Sequence, residues 1–165
     1  MLEKFIGQYQ PWLKEHLRKI QAHPCYDPSA RHLHGRVHLP VAPVCNIECN
    51  YCIREFDCVH ETRPGVTSRV LTPEEAIKRL EEVMGAYSGI RVLGIAGPGE
   101  PLANEETFVT FELAQAKFPH LIKCLSSNGL LLADKLSQLK EYNVSTITVT
   151  LNAVRPEIGE KIYAW

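Results

Sequence analysis

Polar and apolar side chains alternate along Ser145-Thr146-Ile147-Thr148-Val149-Thr150-Leu151-Asn152, where every even position is polar and every odd one from Ile147 is apolar. A period of two marks a β-strand with unlike faces, one meeting helices and the other lined with hydroxyls and an amide. A doubly wound parallel sheet, covered on both sides, has no place for the polar face. A half-closed barrel with a wet interior does. The competing reading is a solvent-facing edge strand. Cys124, Ser126 and Asn128 share one parity in an expected strand, Ile122 to Asn128, and are assigned to the same interior.

The remaining pattern extends this architecture in both directions. Leu2, Phe5, Ile6, Tyr9, Leu13, Leu17 and Ile20 recur at near-helical spacing, with Pro11 expected to divide the segment. Residues 22–35 turn to His, Pro, Asp, Ser and Arg and read as a loop. A first strand over 36–42 and a long cysteine-bearing loop follow. Thr72-Pro73-Glu74-Glu75 is a capping box with proline at the first helical position, and Ala76, Leu80, Val83, Met84 and Tyr87 continue one apolar face. Then come a strand over 90–97, a helix over 104–118 capped by Asn104, and the strand over 122–128. A helix over 132–142, the strand over 145–152 and the start of a helix over 155–165 complete the series. Alternating strands and helices make the class α/β with a parallel sheet. The expected division is an N-terminal helix and loop over 1–35 and a partial (β/α) barrel over 36–165, with about four βα units. Ala164-Trp165 ends inside a helical pattern without a cap, which predicts that the natural protein continues.

Composition removes several function classes. The 165 residues are 45% hydrophobic and 22% charged, with Lys+Arg 18 against Asp+Glu 19 and a formal net charge of -1. No basic field points to nucleic acid or to an anionic membrane. No apolar run approaches the ~20 residues of a membrane span, and the N-terminus has no signal-peptide pattern. The expected location is cytoplasmic, so the six cysteines are read as thiolates for metal rather than as disulfides.

Three of them fall in Cys45-x3-Cys49-x2-Cys52. A structural zinc site closes its tetrahedron, commonly with paired knuckles, and remains the plain alternative. A cubane iron–sulfur cluster has four irons, so three cysteines leave one iron open for a chelating substrate. S-adenosylmethionine (SAM) offers an amino group and a carboxylate for that purpose. An electron delivered to its sulfonium releases a carbon radical. The motif follows the first strand, on the face where α/β barrels carry their active sites.

With Tyr51 before its last cysteine, the motif resembles that of the radical SAM superfamily. Gly97-Pro98-Gly99-Glu100-Pro101 resembles the superfamily's Gly-Gly-Glu-Pro segment, departing from it at Pro98. The resemblance implies a partial barrel and assigns Gly99, Glu100 and Pro101 to the substrate's amino group, with Glu100 accepting from the ammonium. Ser126, Asn128 and Asn152, at strand ends, are candidates for its ribose and carboxylate.

His23-Pro24-Cys25, Asp57-Cys58 and Glu61-x-Arg63-Pro64-Gly65-Val66-x-Ser68 further resemble the NifB family of nitrogenase iron–molybdenum cofactor assembly enzymes, over about 23–152. That resemblance implies fusion of two additional 4Fe–4S substrate clusters around a carbide taken from SAM, giving an eight-iron precursor. It implies cluster donors, a low-potential electron donor and downstream scaffold or carrier proteins as partners. It also implies a first substrate cluster held by three cysteines and a histidine, which points to Cys25, Cys58 and Cys124. His38, mid-strand, is the favoured histidine. His23 competes, and a core histidine bonded to a carbonyl is the bland reading of His38. His32, His34, His60 and His120 are expected to be solvated.

Glu61 and Arg63 are candidate catalytic residues, the first to move a proton or ligate iron transiently, the second to balance cluster charge. A surface ion pair is the alternative. Relatives draw the second substrate cluster's cysteines from a downstream Cys-x-x-Cys, and this sequence has no cysteine after Cys124. An iron–sulfur carrier and a zinc-stabilised binding module stay open as other classes.

Overall fold

The computed structural model describes residues 2–52 and 69–164. Helix α1 (Leu2–Gln21) runs through Pro11, correcting the expected division. Pro11 is exposed, so water serves the carbonyl that loses its N–H partner. A 3₁₀ turn, Ala30–His32, leads into strand β1 (Gly35–His38). This strand is shorter than expected because Pro40 has no N–H to continue the ladder. The chain touches the sheet again at Ala42, which bridges to Pro98.

Helix α2 (Pro73–Ala86) starts on the predicted capping box. Thr72 Oγ1 accepts from Glu75 N at 3.2 Å, and Glu75 Oε2 accepts from Thr72 N at 3.0 Å. Then follow β2 (Ile90–Ile95), α3 (Glu105–Lys117), β3 (Ile122–Ser127), α4 (Leu132–Glu141), β4 (Val144–Val149) and α5 (Pro156–Ile162). The helix expected through Trp165 stops at Ile162, and Tyr163 is extended (φ −98°, ψ 131°).

The sheet runs β1-β2-β3-β4 with every neighbouring pair parallel. This is the α/β partial barrel read from the alternation. On its outer face Leu39, Leu93, Ile95 and Leu125 pack with Leu80, Phe108, Phe111 and Leu139 from the covering helices. Ile147 joins that core, but Leu151 and Val154 are 74% and 89% exposed. Helical cover of the fourth strand's apolar face thus reaches only its first part.

The other parity faces inward. His38, Gly94, Cys124 and Thr146 are register partners in one row across the four strands. Thr146 Oγ1 is buried, and Thr148 Oγ1 shares a 2.8 Å hydrogen bond with Tyr26 OH. The hydroxyl-bearing face thus lies on the side of the sheet that carries His38 and Cys124, shielded at Thr146 and exposed at Thr148. Ala22, just after α1, packs on Val92, Ile122 and Cys124, making one end of this interior apolar.

Candidate metal centre

The segment carrying Cys45, Cys49 and Cys52 leaves the sheet beyond β1 and is fixed at both ends. At its start, Asn104 holds it. Asn104 Nδ2 donates to Val44 O (2.8 Å) and Glu100 O (2.7 Å), while its Oδ1 accepts from Val44 N (3.0 Å). The residue expected to cap α3 makes no side-chain cap bond. It ties the cysteine segment to the turn after β2.

That turn has a cis Gly97–Pro98 bond and leaves no room beside Gly99. A Cβ there would collide with Val44 O and stand 2.6 Å from Val44 C, so only glycine permits the approach. Gly99 N donates to Ala42 O at 2.5 Å and Glu100 N to Val44 O at 2.9 Å. Pro101 is buried and opens a short 3₁₀ turn, Pro101–Ala103.

Glu100 is buried, and its carboxyl group already serves protein donors. Oε1 accepts from Leu102 N (3.1 Å) and Ser127 Oγ (2.6 Å), and Oε2 accepts from Asn128 N (2.7 Å). These bonds link the β2 turn to the end of β3. Asn128 Nδ2 then donates to Asn46 Oδ1 at 2.7 Å, returning to the cysteine segment.

The far end of the segment docks on α5. Asn50 N donates to Ile162 O (2.8 Å), Asn50 Nδ2 to Lys161 O (2.9 Å) and Ala164 N to Glu48 O (2.8 Å). Asn152 Nδ2 donates to the phenol oxygens of Tyr51 (2.8 Å) and Tyr163 (2.9 Å). Cys45, Cys49, Cys52 and Tyr51 consequently share one pocket with Gly99, Glu100, Ser126, Asn128 and Asn152. Of the cofactor-binding candidates only Pro101 stays outside the lining, buried beneath the turn.

None of the five described cysteines is in a disulfide. Among the described residues, no three His, Cys, Asp or Glu side chains converge closely enough to hold one metal ion. Zn–S bonds of 2.3 Å would bring thiolates to within about 4 Å of each other. A cubane's thiolates attach at separate corners of a larger body. Three thiols around an open pocket fit that donor set, with the remaining side free for a substrate.

A second group lies deeper in the same interior. A methyl group on Gly94 would stand 3.0 Å from His38 Nε2 and 3.1 Å from Cys124 Sγ, so imidazole and thiol flank one spot that glycine leaves open. Arg36, on the same face of β1 as His38, donates from Nη1 to Cys25 Sγ at 2.6 Å. Cys25 N donates to His23 Nδ1 at 3.1 Å. That bond fixes the neutral ring's proton on Nε2, which makes His23 a donor there. Burial, then the charges of Arg36 and His38, lower the His23 pKa to about 4. Cys124 and Ser126 are two residues apart on β3, so the two groups are separated by ~7 Å along one strand.

Cys58, Glu61, Arg63 and His60 lie outside the described residues. His32 and His120 are exposed as expected, but His34 is half-buried with Nδ1 shielded from solvent. The sequence reading passed over Arg36; it placed Asn104 correctly at the N-cap of α3 but not its side-chain partners, Val44 and Glu100. Arg36's signal was its place two residues before His38, at matching parity.

Residues 39–164 match the family model of the Radical SAM superfamily. The chain belongs to the radical SAM superfamily. It is 51% identical over 147 residues to the FeMo cofactor biosynthesis protein NifB of Chlorobaculum tepidum, covering 88% of this chain and 35% of that protein. To the NifB of Azotobacter vinelandii it is 49% identical over 153 residues, covering 92% of this chain and 30% of that protein. The chain thus spans about a third of the length of the curated relatives it matches. Among solved structures, the crystal structure of BtrN in complex with AdoMet and 2-DOIA aligns with a TM-score of 0.50 at 20% identity. It covers 77% of this chain and 50% of that one, and speaks for the radical SAM fold alone. Among the described residues no helix is long and apolar enough to cross a membrane.

Proposed function

We propose that this radical SAM chain carries the reactive core of a nitrogenase cofactor assembly enzyme, one that joins two 4Fe–4S substrate clusters and inserts a SAM-derived carbide to give the 8Fe–9S–C precursor. The observation that carries the reading is the placement of two donor groups in one interior. Cys45, Cys49 and Cys52 line the pocket beyond the strands, and Cys124 with His38 lies two residues lower along the sheet. Similarity to NifB proteins over about nine-tenths of the chain supports the same assignment.

In this reading Cys45, Cys49 and Cys52 hold the resident cluster. When bound, that cluster supplies one electron to the sulfonium of SAM. The Gly97–Pro101 turn borders the amino-acid end of SAM, and Ser126, Asn128 and Asn152 offer polar groups to its ribose and carboxylate. Glu100 acts here by locking the turn to β3, since three protein donors already bind its carboxyl oxygens. Cys25, Cys58, Cys124 and His38 hold the first substrate cluster, with Glu61 and Arg63 moving protons and balancing charge. Cluster donors, a low-potential reductant and downstream carrier or scaffold proteins are the partners this chemistry needs.

Iron, zinc and acid-labile sulfide analysis of anaerobically reconstituted protein tests the reading. The expected result is about two cubanes per chain, one of which disappears when Cys45, Cys49 or Cys52 becomes alanine. Stoichiometric zinc without sulfide would refute it.

A further inference from the structure

Three nitrogen atoms beside Cys25 are buried and have no hydrogen-bond partner among the described residues: Nε and Nη2 of Arg36 and Nε2 of His23. Both side chains are hung on the same residue. Arg36 reaches Cys25 Sγ through Nη1, and His23 receives the Cys25 backbone N–H on Nδ1. A buried donor left unsatisfied is costly, and more so on a charged group. Three of them around one thiol therefore imply an acceptor that the described residues do not provide.

The chemistry of that acceptor is constrained. A guanidinium stays protonated, and His23 in its fixed tautomer presents Nε2–H, so the ligand must accept and favour positive charge. It must also sit against Cys25, on the β1 face that carries His38. Inorganic sulfides at the faces of an iron–sulfur cluster meet each requirement: they are anionic, they accept N–H hydrogen bonds, and those bonds tune the cluster. We propose that Arg36 and His23 donate these N–H groups to the sulfides of the substrate cluster bound by Cys25, Cys124 and His38. The inference rests on reading those three residues as cluster ligands. It assigns the two side chains a distinct task. They fix the cluster's rotation about its ligands and offset its negative charge, while the ligands fix its place.

The test uses the full chain with Cys45, Cys49 and Cys52 replaced by alanine, reconstituted anaerobically with iron and sulfide so that only the deeper site fills. One cubane with a histidine nitrogen coupling in pulsed electron paramagnetic resonance establishes the ligand reading. A background without sulfide-bound iron overturns that reading, and the proposal with it. In the cluster-bearing background, Arg36→Met and His23→Phe should each move the midpoint potential to more negative values, because the reduced cluster loses a donor. Arg36→Lys, which keeps the charge and loses the fork, should fall between. It also carries the comparison if Arg36→Met fails to fold or to hold its cluster. Exchange into D2O should shift the iron–sulfide Raman bands in the background, and shift them less in each variant. Unchanged midpoints and unchanged deuterium shifts in Arg36→Lys and His23→Phe would overturn the proposal and leave the ligand assignment standing.

Discussion

Replacing Asn104 with alanine removes three hydrogen bonds that join Val44 to Glu100. At about 1 kcal/mol for each bond, the variant should lose about 3 kcal/mol in urea unfolding. It should also lose iron selectively from the pocket of Cys45, Cys49 and Cys52, since the tie ends one residue before Cys45. A loss below about 1 kcal/mol with iron retained would show that the tie is redundant. Gly94→Ala probes the deeper group. Its methyl would crowd His38 and Cys124, so the deeper cluster should be lost while the outer one is kept. The three-cysteine motif was legible because its information is local, three thiols within eight positions. The role of Asn104 was not. An asparagine before Glu105-Glu106 carries every mark of a helix cap, and its actual partner Val44 lies sixty residues earlier. Arg36 was missed for a related reason, since its contact with Cys25 spans a loop whose path no periodicity describes.

Elements divide in the same way. The capping box of α2 was readable residue by residue, and Thr72→Ala should cost about 1 kcal/mol on thermal unfolding without changing either metal group. The alternation along β4 correctly separated an inward polar face from an outward apolar one. It did not show how much of the outward face helices cover, because cover depends on neighbours rather than on the strand itself. The continuity of α1 through Pro11 escaped the pattern too: propensity penalises proline, but an exposed turn tolerates the missing bond. Helix α5 ends earlier than its sequence suggests, because Tyr163 pairs with Cys49 in an antiparallel bridge. Asn50→Ala should loosen that docking by removing the bond to Lys161 O. Limited proteolysis should then cut faster within 45–52, while cleavage elsewhere stays unchanged.

At the scale of the molecule, six cysteines limit what the chain can hold by itself. If, as proposed, Cys45, Cys49 and Cys52 serve one cluster and Cys25, Cys58 and Cys124 another, none remains for a third. Reduced protein supplied with SAM should therefore release 5′-deoxyadenosine slowly and make no eight-iron product. Activation of apo-nitrogenase by this chain alone would contradict that inventory. Val149, at the end of β4, and Leu151 and Val154, beyond it, are exposed and should promote concentration-dependent association. Leu151→Ser with Val154→Ser should reduce it, as read by light scattering.

A closed barrel keeps its girth by pairing its last strand with its first, whereas here the described sheet ends at β1 on one side and β4 on the other. The segment 23–26 spans that gap through two exposed residues, Cys25 and Tyr26. Arg36 of β1 holds Cys25, and the next residue, Tyr26, holds Thr148 of β4. Two side-chain bonds thus form a chord across an open arc. Such a chord sets the arc's width without the stiffness of a strand ladder, and it passes through the residue proposed to grip the substrate. If Cys25 holds a substrate as proposed, a change in that substrate should act first on the spacing between β1 and β4.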